Sequence, residues 1–487
     1  MQVRDAVLDI ALRRTAAGRR EPYAAQLLRV AAVRIGHLRA ERDGKRKRRR
    51  EGRESGEGVD HDTTSLLLRP AECNPATYLT ISSRQGVDVS SACVVAGGGP
   101  AGMMLGFLLA RAGVSVTVLE KHADFFRDFR GDTVHPSTLE ILHELGVVDE
   151  FLWLPHSKVR TLTGQIGATT LRLADFSHLP VHCKFLVLMP QWDFLNFLAQ
   201  RARAYPSFSL EMEAEVSGLL FEGDRVAGVR VRAPQGERQL RADLVIAADG
   251  RDSHVRAAAG LQSSDFGAPM DVLWMRLSRQ PGDPEQLFGR IDFGRIFVML
   301  DRGDYWQCGL VIQKGGLEEI RGRGLEALRS DIVELNPFLR DRVPELRDWD
   351  DIKLLTVQVN RLREWYRAGL LCIGDAAHAM SPIGGVGINL AIQDAVAAAN
   401  ILIPELRRGS TIPVAALRRV QQRRDLPTRI TQRAQLIIQN NVIKRVLGRR
   451  GRMTPPLVVR ALGAIPLLQR IPARLLGLGF RREHVTL

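Results

Sequence analysis

Short apolar runs punctuate the chain from residue 92 onward, and several stop abruptly at glycine or at an Asp-Gly or Gly-Asp pair. Cys93–Ala96, with Val94 and Val95, predicts a buried parallel strand. Met103–Arg111 predicts a helix that Gly113 ends, and Val114–Leu119 a second strand closed by Glu120. Leu244–Ala247 and Leu370–Ile373 are two more strands of the same kind, followed by Asp249-Gly250 and Gly374-Asp375. Between them, Val272–Leu277, Arg295–Leu300 and Tyr305–Ile312 predict strands of an antiparallel sheet, and Gly324–Leu335 a helix ending before Pro337. Beyond residue 405, Val414–Arg424 and Ile430–Leu447 have helical spacing, with Pro427 expected to divide them. The expected fold is α/β: a Rossmann-like domain with an inserted antiparallel-sheet domain and a C-terminal helical region.

The first strand runs directly into Gly97-x-Gly99-x-x-Gly102. In such a run the first glycine permits a tight turn, the second lets backbone approach a pyrophosphate, and the third lets helix pack on strand. The pyrophosphate then meets the positive end of a helix. Glu120 stands where an acid accepts hydrogen bonds from an adenosine ribose. Together these predict a dinucleotide site. The nearly uncharged run Ala92–Ala110 imitates a membrane span, but its clustered glycines argue against one continuous helix. Asp249 and Asp375 follow strand ends, where ligands of open α/β sheets sit. Each could instead cap the next helix.

Charge and composition add the frame. A chain of 487 residues that is 45% hydrophobic holds two domains and an appendage. The net charge of +15 is uneven: residues 1–90 carry +6, residues 406–487 carry +16, and the middle is mildly acidic. Residues 1–88 read as a basic, disordered extension, with six consecutive cations at Lys45–Arg50 before a Gly/Glu/Asp/Ser linker. Without aromatic interleaving or a DNA-binding motif, no nucleic-acid partner is expected. The basic C-terminal helices suit peripheral contact with an anionic membrane, or else a solvated basic face packed by its apolar side. Five cysteines without a CxxC, and no secretory h-region before the predicted catalytic part, predict a reducing, cytoplasmic setting. The histidines lack partners at metal-ligand spacing, so no metal is expected.

The chain resembles the FAD-dependent aromatic hydroxylases of the para-hydroxybenzoate hydroxylase type, the class A flavoprotein monooxygenases, over roughly residues 89–405. The resemblance rests on Gly97–Glu120, on Asp249-Gly250-x-x-Ser253-x-x-Arg256, and on Gly374-Asp375-Ala376-Ala377-His378 with Pro382. It implies FAD contacts at Gly97, Gly99, Gly102, Glu120, Asp249, Gly250, Gly374, Asp375 and Pro382. It adds Arg130 in the loop before Pro136, Gln191 in Pro190–Leu195, and Gly385 and Gly387 in the glycine turn beside the flavin ring. Val386 departs from the glutamine more common in that turn. The implied activity is hydroxylation of an aromatic or apolar small molecule through a flavin C4a-hydroperoxide, using dioxygen and NAD(P)H. The alternative is a non-oxygenating FAD oxidoreductase, such as an isoprenoid double-bond reductase. The flavin halogenases' usual Trp-x-Trp-x-Ile-Pro element is missing from Phe151–Pro155. A second strand–GxGxxG–helix unit for the nicotinamide is not found, which fits a transiently bound NAD(P)H.

The expected boundaries are 1–88 for the extension, 89–268 with 354–405 for the FAD domain, 269–353 with part of 160–200 for the substrate domain, and 406–487 for the basic helices. Trp274, Arg276, Phe297, Met299 and Trp306 are candidates either to line a substrate cavity or to pack in the core. His378 and His135 are candidates for catalysis, with a hydrogen-bonded structural role the favoured reading.

Overall fold

The central sheet is built on six strands, five of them mutually parallel. A computed structural model describes residues 91–126, 133–284, 289–409, 411–449 and 451–486. The expected extension 1–88 and Arg130 lie outside the described residues. The strands run in the order Tyr366–Arg367, Leu370–Cys372, Gly236–Ala247, Ser91–Ala96, Val116–Glu120 and Phe208–Met212, all parallel but for the antiparallel edge pair formed by Tyr366–Arg367 and Leu370–Cys372. A hairpin of Glu215–Glu222 and Arg225–Ala233 extends from the long strand Gly236–Ala247. Val94, Val95, Leu244, Val245, Ile246 and Leu370 are fully buried, as strands covered on both faces require.

Helix Pro100–Arg111 covers the sheet, and residues 101–110 are all buried. Its Gly106 is obligatory, because a Cβ there would lie 2.7 Å from the Val118 side chain. Helix Gly387–Arg407 packs between this helix and helix Val414–Ile438. The segment Ile383–Arg407 is long and apolar enough to cross a membrane, yet 78% of its most apolar window is buried inside the protein. It is a core helix.

A seven-stranded sheet takes strands from two parts of the chain: Thr161–Ile166 and Thr169–Asp175 join Gly289–Asp292, Arg295–Asp301, Tyr305–Gln313, Met270–Ser278 and Lys353–Leu355. Its two faces differ in what covers them. Leu273, Met275, Phe297, Met299 and Trp306 pack under helix Leu325–Leu335, with Leu328 and Ile332. Phe297, Met299 and Trp306 are therefore core residues. Arg276 is exposed and stacks on Tyr305 at 3.9 Å. Trp274 and Arg276 share the other face, two residues apart in one strand, and of the two Trp274 packs there with Val272, Ile296 and Val311.

Pro427 does not divide the C-terminal helices. One helix runs unbroken from Val414 to Ile438, followed by a wide turn, Gln439–Ile443, and Lys444–Leu447. Proline removes only one backbone donor here. The buried stripe Val420, Arg424, Thr428, Gln432 and Gln435 holds the helix against the core on both sides of it.

Candidate functional site

Register places the three motifs at one edge. Ala96 pairs with Ala247 on one side and Leu119 on the other, and Ala247 pairs with Cys372. Gly97, Glu120, Asp249 and Gly374 thus leave their strands at about the same level, at the carboxyl end of a parallel sheet. Gly97 has φ +104°, and a Cβ on it would lie 2.4 Å from the Ala248 carbonyl oxygen. A Cβ on Gly102 would lie 2.0 Å from the Gly97 oxygen. Gly99 is the opposite case: its Cβ would meet nothing within 4 Å. It precedes helix Pro100–Arg111, whose N-terminus has no side-chain cap. Two glycines are required by protein packing, and the third opens the space over a helix N-terminus. That cradle fits a dinucleotide pyrophosphate.

Glu120 is buried beneath the same turn. Its Oε2 accepts the Gly98 N–H at 3.0 Å, and its Oε1 accepts the His122 N–H at 3.1 Å and bonds His122 Nδ1 at 2.5 Å. The carboxylate therefore also fixes the shape of the glycine turn.

The two aspartates differ. Asp249 accepts Ser253 Oγ at 2.5 Å and the Val255 N–H at 3.2 Å, while Ser253 caps helix His254–Ala258 through the Arg256 N–H. Its carboxylate is spent on the local turn, the capping role weighed above. Gly250 has φ +93° and open space at its Cβ position. Asp375 caps nothing; it is one-third exposed and lies 3.7 Å from Arg251 Nη2. Arg256 joins the motif loops, donating to Ala376 O at 3.2 Å and Arg251 O at 2.9 Å.

Behind Gly374 lies a buried charge network that sequence reasoning missed. Asp394 accepts the Gly374 N–H at 3.1 Å, His378 Nε2 at 2.6 Å and Arg424 Nε at 2.9 Å. Arg424 also reaches Glu483 at 3.2 Å, which Arg423 bonds at 2.8 Å. Burial raises the Asp394 pKa, but His378 and Arg424 outweigh it and hold the carboxyl below its usual range. His378 is thus hydrogen-bonded in the core. The one sequence signal was an acid inside the apolar run Ile388–Ala399.

The glycine turn follows Pro382, with Ile383–Gly385 as a single tight turn and Gly387 opening the long helix. Gly385 has φ +61°, and its Cβ would press on the Thr133 side chain at 3.0 Å. Asn389 ties this turn to the loop before Pro136. It donates to Thr133 O and Gly385 O, both at 3.1 Å, and accepts the His135 N–H and Thr138 Oγ, both at 2.8 Å. Its role was not foreseen. His135 Nδ1 bonds Leu476 O at 2.7 Å, and burial pushes its pKa down to about 4, against raising contributions from the Leu476 and Gly384 backbone. Gln191 begins helix Gln191–Ala202, which packs on the fingerprint helix.

A parallel sheet with a dinucleotide cradle at its carboxyl edge, joined to a second, antiparallel sheet, defines a dinucleotide-binding α/β protein. Comparison with known proteins sharpens the class. Residues 90–434 match the family model described as "FAD binding domain". The chain is 34% identical over 357 residues to 6-methylpretetramide 4-monooxygenase of Streptomyces rimosus, covering 72% of this chain and 85% of that protein. It is 26% identical to the dialkyldecalin synthase of Streptomyces rugosporus, over 63% of this chain and 64% of that one. The fold matches the crystal structure of p-nitrophenol 4-monooxygenase PnpA from Pseudomonas putida, with a TM-score of 0.64 and 21% identity over 80% of this chain and 97% of that one. The chain belongs to the FAD-binding family of class A flavoprotein monooxygenases.

Proposed function

We propose that this enzyme hydroxylates an aromatic, predominantly apolar small molecule with NAD(P)H and dioxygen. The observation that carries the substrate class is one apolar cluster. In it the second face of the seven-stranded sheet, Val272, Ile296 and Val311 with Trp274 beside them, packs with Ile383 of the glycine turn and Leu436 of the C-terminal helix. The relative acting on 6-methylpretetramide supports an aromatic substrate. Gly97, Gly99 and Gly102 would hold the FAD pyrophosphate, and Glu120 and Asp375 would face its sugar hydroxyls. Gly385 and Gly387 would pass their backbone along the ring. Bound flavin supplies the redox and oxygen chemistry; the chain's own residues orient the substrate and keep water out. In balance, NAD(P)H gives two electrons, one oxygen atom replaces a ring hydrogen as hydroxyl, and the other leaves as water. The four described cysteines are buried free thiols, which supports a cytoplasmic setting. The basic C-terminal region, 406–487, supports a peripheral membrane contact.

The experiment is NAD(P)H oxidation by the flavin-loaded enzyme with candidate phenols and polycyclic aromatics under labelled dioxygen. One labelled atom in the product is the expected result. The likeness to a synthase favours a second reading, a flavoprotein that does not transfer oxygen. Product without label, formed equally without oxygen, would establish that reading instead.

A further inference from the structure

We infer that the C-terminal hairpin of helices Leu457–Ala464 and Pro466–Gly477 docks the protein on an anionic lipid surface. The inference rests on the proposed membrane contact and assigns it to one element.

The hairpin's inner face is small and tightly fitted. A Cβ on Gly463 would lie 2.6 Å from the Leu171 side chain, and one on Gly477 would lie 2.7 Å from Leu179. Ala473 is fully buried against Ala174 and Phe176. Gln469 is buried and donates to Gly463 O at 3.0 Å, locking the two helices. These contacts fix the hairpin on the edge strand Thr169–Asp175.

The outer face is apolar and uncovered. Leu467, Ile471 and Leu475 repeat every fourth residue, and Leu467 and Ile471 are 66% and 57% exposed. Leu457 and Val458 extend this surface at 78% and 80% exposure. Soluble proteins leave such residues singly at the surface; a contiguous set marks an interaction site. Arg470 and Arg474 run beside the apolar stripe, and Arg460 lies on the first helix. Residues 426–482 contain 12 Lys and Arg and no acid. An apolar stripe edged by arginines with no acid nearby matches an anionic headgroup layer over acyl chains. A second copy of this chain would have to bring the same cations against each other.

The position of the hairpin gives docking a consequence. Leu476 O accepts the His135 ring N–H, and a Cβ on Gly384 would lie 2.8 Å from the Leu476 side chain. The lipid-facing element is therefore hydrogen-bonded to the loop at His135 and packed on the glycine turn at Gly384, so docking sets the site beside the lipid surface.

The test is cosedimentation of the full-length, flavin-loaded protein with phosphatidylglycerol or phosphatidylcholine vesicles. Wild type is expected to bind the anionic vesicles, to release in high salt, and to ignore the neutral ones. Arg470→Gln with Arg474→Gln removes two charges and is expected to weaken binding about 30-fold. Leu467→Ser with Ile471→Ser is expected to weaken it comparably, with flavin content and unfolding midpoint unchanged because both side chains face solvent. Binding that both variants retain in full would overturn the hairpin assignment while leaving a membrane contact elsewhere, such as the Lys45–Arg50 run. No binding by wild type would overturn the membrane reading as well. A wild-type dimer that the leucine–isoleucine variant renders monomeric, without vesicle binding, would assign the face to a second copy and overturn the inference.

Discussion

His135 makes the sharpest test of the described geometry. Its ring is buried, donates from Nδ1 to Leu476 O, and has a folded pKa of about 4 against an ordinary 6.5. The group is depressed by folding, so the unfolded chain binds its proton first as pH falls. Its contribution is therefore fully present above pH 6.5 and is lost progressively as pH falls from there to about 4. At pH 5 the loss is about 2 kcal/mol, and across the whole interval it reaches about 3.4 kcal/mol. That is a large part of a typical stability of about 5–15 kcal/mol. His135→Asn keeps a donor near the Leu476 carbonyl and cannot titrate in this range. Urea unfolding of the flavin-loaded protein at pH 7.5, 6, 5 and 4.5 would follow both proteins. Wild type should lose about 2 kcal/mol more than the variant between the first and third of these, whatever their offset at pH 7.5. All other titrating groups, His178 among them, cancel in the difference. Parallel pH profiles would mean that His135 already titrates normally, which would refute its burial against the glycine turn.

Three further outcomes follow from the site. Asp394→Asn should cost about 3–5 kcal/mol in urea unfolding, because it breaks a buried pair and leaves Arg424 undercompensated; the deficit should shrink as pH falls below the ordinary carboxylate range, where the unfolded wild-type chain takes the proton that the folded carboxylate resists. Gly102→Ala should abolish flavin binding, since its Cβ would sit 2.0 Å from the Gly97 oxygen; the ratio of flavin to protein absorbance reads it, and a normal ratio would rule out the proposed turn. Asp375→Ala should weaken FAD roughly 10- to 100-fold with little change in unfolding midpoint, the size of one charge-assisted hydrogen bond at a partly exposed site; unchanged FAD affinity would reduce Asp375 to a partner of Arg251.

The parts legible in the sequence are those that local physics dictates. Cys93–Ala96 and the three glycines after it fix strand, turn and helix start within ten residues, and parallel strands need no partner's side chains to be recognised as apolar. Apolar runs with β-branched and aromatic residues located the strands Val272–Leu277 and Tyr305–Ile312 to within two residues. They could not say which face meets a helix and which meets the flavin domain, because both faces are apolar. Phe297, Met299 and Trp306 were therefore open between core and cavity until Leu328 and Ile332 appeared over them. Pro427 signals a break wherever a helix stands alone; here a buried stripe on both sides outweighs one lost hydrogen bond. Asp249 looks like Asp375 in sequence, since both follow a strand in an Asp/Gly pair. Ser253, four residues on, bonds Asp249 into its own turn, whereas Asp375 has Ala379 at that spacing.

The buried network shows why the cofactor edge and the end of the chain fold as one unit. Gly374 has φ +59° and sits where a Cβ would press on Ala101 and Ala391, so its turn has little freedom. Its N–H is held by Asp394, a carboxylate fully withdrawn from water. Such a charge is tolerable only with a buried cation beside it, which is Arg424. Arg424 in turn shares Glu483 with Arg423. Two carboxylates stand against two guanidiniums, with His378 bonded to Asp394 as well. Glu483 comes from the segment Arg481–Thr486, which is further pinned by His484 and Val485 on Glu144 and by Thr486 on Asn400. Releasing that segment would unbalance the charge directly beneath Gly374. The far end of the sequence is therefore part of the support for a motif that reads, in sequence, as self-contained.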